Sequence, residues 1–191
     1  MTAPDVGSTH GHILDELKWR GLVHQTTNEQ GLHDHLREPR ILYCGFDPTK
    51  DSLTIGNFVS ICLLRRFQQM GHTPVVVMGG GTGLIGDPSG KDAERQLLDE
   101  TQIEANVAGQ RPIFEQFLSF EGKNAAVIVN NAEWIGKLTF VEILRDVGKH
   151  FAVNMMIQKD SVRTRLESRE QGISYTEFSY MILQAYDFRY L

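Results

Sequence analysis

Three short apolar runs, separated by stretches of helical length, constrain this chain more than anything else in it. They are Ile41 to Cys44, Pro74 to Met78 and Ala125 to Val129, and none contains a charged residue. Apolar runs without alternation suit strands buried on both faces of a sheet. Between the first two, Ile55, Val59, Cys62, Leu63 and Phe67 recur at helical spacing, and Gly71 supplies a stop. Between the second and third lies a charged stretch, Ala93 to Phe117, also predicted helical. Strand–helix–strand–helix–strand predicts a parallel, right-handed α/β sheet with flanking helices. Further helices are expected over Ile13 to Trp19, Gln30 to Leu36, Thr139 to Val147, Phe151 to Gln158 and Tyr175 to Tyr186. Thr26-Thr27-Asn28 supplies a turn and a cap for the second of these.

Ligands in such sheets sit at the carboxyl ends of the strands. Tyr43 to Asp47, Gly79 to Asp87 and Asn130-Asn131 all fall there. The first strand stops at Gly45 and passes through Asp47-Pro48-Thr49 into a helix that opens near Ile55. A strand that breaks at glycine and feeds a helix N-terminus favours an anion such as phosphate. Thr49, Thr54 and Asn57 offer neutral hydrogen-bonding groups there. Gly81-x-Gly83-x-x-Gly86 matches a dinucleotide fingerprint. That fingerprint needs a helix opening at its last glycine, yet Asp87-Pro88-Ser89-Gly90 predicts a turn. The Walker pattern fails too, because Asp92 follows Lys91 where Ser or Thr is required. Tyr180, Gln184 and Asp187 stand at i, i+4 and i+7, on one face of a mostly apolar helix. A polar stripe there suggests a lined cavity.

Composition narrows the classes. The chain has 191 residues, enough for one sizeable α/β core. A net charge of −5 argues against a dedicated nucleic-acid-binding module, though not against a local RNA contact. Two cysteines, Cys44 and Cys62, are too far apart for a Cys-x-x-Cys motif, and the seven histidines show no zinc-ligand spacing. No metal site is expected. Met1 to His12 lacks the features of a signal peptide, and no run approaches a membrane span, so a cytoplasmic protein with no membrane partner is expected.

The same residues carry a resemblance. Tyr43 to Asn57 resembles the first signature of class I aminoacyl-tRNA synthetases, in the form used by bacterial-type tyrosyl-tRNA synthetases. Gly79 to Lys91 and Tyr180 to Asp187 agree with that family. The resemblance covers about Leu42 to Leu191. One departure stands at Thr54-Ile55-Gly56-Asn57, where the family usually has His in place of Thr54.

The resemblance implies a Rossmann-like catalytic domain over 41–191, with a helical connective and dimer region near 131–175, preceded by an N-terminal helical segment over 1–40. It implies a tyrosine–tRNA ligase that uses ATP with Mg2+, L-tyrosine and tRNA(Tyr), as a homodimer. Tyr43 and Asp187 would hydrogen-bond the substrate phenol. Asp87, Tyr180 and Gln184 would take its ammonium group, and Asn131 would support the site from behind. Gly45, Asp47 and Gly56 would border the adenylate. Thr49, Thr54 and Asn57 would meet phosphates or ribose as the catalytic groups, and Lys91 and Arg95 would approach the ATP phosphates. Trp134 reads as a packing residue. Lys149, His150, Lys159, Arg163, Arg165 and Arg169 form a basic segment, either a solvated face or a contact for tRNA or a dimer partner. Phe151, Met155, Met156 and Tyr175 suit an apolar interface. The family's second half-sheet, Lys-rich pyrophosphate loop and anticodon-binding domains are not in this sequence, so weak activity of the chain alone is expected. A non-catalytic tyrosine-binding or dimerising fragment and a small-molecule nucleotidyltransferase stay open.

Overall fold

The computed structural model describes residues 11–86, 97–160, 162–163, 166 and 172–191. The elements in order are α1 (Ile13–Trp19), α2 (Glu29–His35), β1 (Ile41–Phe46), α3 (Ile55–Gln69), β2 (Thr73–Met78), α4 (Glu100–Phe117), β3 (Val127–Asn130), α5 (Ala132–Ile135), α6 (Phe140–Glu142), α7 (Val153–Ile157) and α8 (Tyr175–Tyr190). The three strands form one parallel sheet in the order β1-β2-β3. The Val run of β2 is the central strand, with Val76, Val77 and Met78 no more than 2% exposed. Ile41 and Val127 are exposed, as edge strands allow.

The charged stretch departs from its expected start. Ala93 to Gln96 lie outside the described residues, and Leu97 to Asp99 are not helical. Asp99 instead accepts the Gln102 N–H at 2.8 Å, so the described helix begins after it. Thr139 to Val147, expected as one helix, is a single turn over Phe140–Glu142 followed by a π turn, Ile143–Val147.

The chain divides into two compact units, one of residues 1–44, 53–76 and 112–128, the other of residues 45–52, 77–111 and 129–191. Each has its own apolar core. In the first, Ile13, Leu17 and Leu36 pack with Leu63, Phe67 and Met70. Polar side chains fix its loops. Gln68 is buried, and its amide donates to Ser119 O at 2.7 Å and accepts from Ser119 N–H at 2.9 Å. His12 caps α1 by accepting the Leu14 N–H at 3.1 Å, while its Nε2 lies 2.9 Å from His33 O. With both ring nitrogens engaged and the His12 and His33 rings stacked 3.7 Å apart, these residues tie α1 to α2. Both cysteines are half-buried and in the thiol form, and burial pushes the Cys44 thiol up, against a hydrogen bond with Ser60 that pulls it down.

In the second unit, Val147, Met156, Val162, Met181 and Ile182 form the core, with Phe151, Phe178 and Tyr186 against it. There the first turns of α4 hold the Asp47–Asp51 segment. Asn106 donates to Pro48 O and Gln110 to Lys50 O, each at 2.8 Å. Gly109 permits this closeness, because a Cβ there would lie 2.7 Å from Asp51 O.

Candidate active site

The second unit gathers a connected set of polar side chains from four segments: Asp47 after β1, Thr82 after β2, Asn131 and Trp134 after β3, and Tyr180 and Asp187 on α8. Asp187 is 6% exposed. Its Oδ1 accepts from Trp134 Nε1 at 2.8 Å and its Oδ2 from Asn131 Nδ2 at 3.1 Å. Burial raises its carboxyl above the ordinary range, and the Asn131 and Trp134 hydrogen bonds pull it part of the way back. Asp47 Oδ1 accepts from the Thr82 hydroxyl and its Oδ2 from the Tyr180 hydroxyl, each at 2.9 Å. Thr82 Oγ also lies 3.1 Å from Asn131 Nδ2, which joins the two carboxylates into one network.

The backbone makes room for this network. A Cβ on Gly79 would overlap Asp47 Oδ1, and one on Gly80 would overlap the Asn130 amide. Gly81 packs on Ile135, and Gly83 on Pro48 and Ile103. Gly79, Gly80, Gly81 and Gly83 thus serve close packing of protein on protein. At Gly86 the backbone is left-handed, with φ of 80°, a conformation that favours glycine, and the residues that follow it, 87–96, lie outside the described ones.

The other sequence-derived site residues fall as follows. Gln184 is on α8 and exposed, Thr49 is exposed, and Gly45 is exposed with open space where a Cβ would sit. Tyr43 is a half-buried residue of β1 in the first unit. Thr54 and Asn57 close a capping box at the start of α3. Asn57 Oδ1 accepts the Thr54 N–H at 3.0 Å, and Thr54 Oγ accepts the Asn57 N–H at 3.4 Å. Gly56 lies within that exposed turn, where an added Cβ would meet only Thr54 Oγ, at 3.6 Å. Asp87, Lys91 and Arg95 lie outside the described residues, as do Arg165 and Arg169. Two residues of the network escaped the sequence reading as site groups. Trp134 was read as packing, although it also stacks on Tyr190 with centroids 4.4 Å apart. Thr82 carried no signal apart from its place in the glycine loop.

Residues 35–191 match the family described as tRNA synthetases class I (W and Y). The chain belongs to that family. Among curated relatives it is 56% identical over 181 residues to the tyrosine–tRNA ligase of Roseiflexus castenholzii, a match covering 94% of this chain and 42% of that protein. It is 58% identical over 178 residues to the tyrosine–tRNA ligase of Bacillus caldotenax, covering 92% of this chain and 42% of the relative. The fold of a C-terminally truncated Aspergillus nidulans mitochondrial tyrosyl-tRNA synthetase superposes with a TM-score of 0.81 at 27% identity, over 92% of this chain and 52% of the other. This synthetase-family chain therefore spans less than half the length of the curated relatives it matches.

Proposed function

We propose that the protein bearing this chain is a tyrosine–tRNA ligase. The observation that carries the reading is Asp187, a buried carboxylate held by two fixed donors on the polar stripe of α8. Such a carboxylate accepts strongly from a hydroxyl and gains nothing from a bare ring, so it favours tyrosine over phenylalanine. The tyrosine–tRNA ligases among the relatives support the same substrate. Tyr43 is the second group assigned to the phenol, and Tyr180, Gln184 and Asp87 are assigned to the ammonium group. Gly45, with open space beside it, and Asp47 border the adenylate. Thr54, Gly56 and Asn57 at the start of α3 are assigned to phosphate or ribose, and Thr49, Lys91 and Arg95 to the ATP phosphates.

The tyrosine carboxylate attacks the α-phosphate of ATP, giving tyrosyl-adenylate and releasing pyrophosphate. A 3′-terminal ribose hydroxyl of tRNA then attacks the adenylate carbonyl and releases AMP. No protein side chain becomes covalently attached, so the chain contributes positioning and charge stabilisation. Mg2+ enters with the ATP phosphates. The protein works in the cytoplasm, and as a homodimer. Met155 and Tyr175 of the expected apolar interface, with Phe140, Val141 and Val153, are each more than half exposed and support the dimer, whereas Met156 is buried in the core with Phe151 packed against it. No described helix is long and apolar enough to cross a membrane.

ATP–pyrophosphate exchange with the intact protein, run across the amino acids, tests the reading. Tyrosine is expected to drive exchange and phenylalanine to fail. Equal exchange with both would sink it.

A further inference from the structure

Thr82 is 3% exposed, and the direction of every hydrogen bond at its hydroxyl is fixed. Asn131 Oδ1 accepts the Gly81 N–H at 2.8 Å, so the amide nitrogen is the end that faces Asp187 and Thr82. Thr82 therefore accepts from Asn131 and gives its one proton to Asp47 Oδ1. Asp47 Oδ2 in turn accepts a hydrogen bond from the Tyr180 hydroxyl. The Tyr180 oxygen is thereby committed as an acceptor, which is the polarity an ammonium group requires.

We propose that Thr82 is a positioning residue for tyrosine binding, orienting Asp47, and through it the Tyr180 hydroxyl, toward the substrate's ammonium group. This rests on the tyrosine reading above. The two carboxylates depend on Thr82 unequally. Without its hydroxyl, Asp187 keeps Trp134 and Asn131 as donors, and Asn131 stays anchored by the Gly81 N–H. Asp47 loses the hydrogen bond that the Thr82 hydroxyl makes to its Oδ1. The defect falls on the ammonium end of the ligand and spares the phenol end.

Calorimetry on the intact protein, with tyrosine and with 3-(4-hydroxyphenyl)propanoate, separates the two ends, because the second ligand keeps the phenol and lacks the ammonium group. Thr82→Val is expected to weaken tyrosine binding on the order of tenfold and to leave the desamino ligand within about twofold of wild type. Thr82→Ser is expected to bind tyrosine as wild type does. Thr82→Cys, a weak donor of similar size, should fall between, so the Thr, Ser, Cys series decides the matter even where the Val variant does not fold. Equal weakening of both ligands, or a Ser variant as poor as Cys, would overturn the positioning role. A wild-type protein that does not bind tyrosine would overturn the tyrosine reading itself, and this role with it.

Discussion

At the scale of single residues, Asp187 makes the sharpest demand. Its carboxyl is raised by burial in the folded protein, so the folded state holds the proton more tightly than the unfolded one. The stability it contributes is full below the ordinary carboxylate value of about 4 and is lost as pH rises through the raised value. Asp187→Asn cannot titrate, so its denaturation midpoint relative to wild type should improve as pH increases through that window. Urea titrations of both proteins across the acid range would show it, and a constant difference would refute it. Tyrosine affinity should run the other way, falling as Asp187 becomes protonated and loses acceptor strength. Thr54 gives a second test. Its oxygen caps α3, and a histidine can cap as well, since His12 does so at α1. Thr54→His in the intact protein should therefore preserve the fold, raise the adenylation rate several-fold and leave tyrosine affinity unchanged. A rate unchanged or lowered would remove Thr54 from the phosphates. Thr54→Ala should lose about 1 kcal/mol of stability in chemical denaturation.

At the scale of elements, the strands and long helices were legible in place, because apolar run length and 3.6-residue spacing are local signals, but β1 runs through Gly45 to Phe46, because glycine does not by itself end a strand. The helix Ile13–Trp19 and the start of α3 at Ile55 match the sequence reading, while α8 runs four residues further than expected, to Tyr190. The Tyr180–Asp187 stripe was legible for the same reason. Contacts made across long sequence separations were not. Asn106 and Gln110 read as two more polar residues on a charged helix, yet both are buried and clamp the segment that carries Asp47. The hydroxyl of Thr82 meets partners 35 and 49 residues away, and nothing in its neighbourhood announces them. The glycine loop misleads a motif search for a physical reason. Glycines that admit a pyrophosphate and glycines that admit a neighbouring side chain look the same in sequence. Gly79→Ala tests that distinction, because its methyl group would overlap Asp47 Oδ1 and lie 2.7 Å from Thr82 Oγ. It should cost roughly 1–3 kcal/mol by overpacking and weaken tyrosine binding together with stability. Unaltered melting and calorimetry would show that the loop has slack.

At the scale of the whole molecule, the chain covers 42% of the Roseiflexus relative, so catalysis by these residues alone is a separate question from catalysis by the intact protein. The chain by itself is expected to adenylate tyrosine poorly, since phosphate-clamping charges supply much of the stabilisation in phosphoryl transfer. A pyrophosphate-exchange rate equal to that of the intact protein would refute this. The division into two compact units also bears on how the molecule can be taken apart. The chain passes from one unit to the other after residues 44, 52, 76, 111 and 128. One cut at any of these points leaves both products with pieces of the same core or the same polar network missing. Neither unit corresponds to a contiguous gene segment. Deletion mapping, the usual way of assigning a job to a stretch of sequence, would report loss of function almost everywhere. Two nicked halves that reassociate would be the informative pieces, and point substitutions the finer instrument.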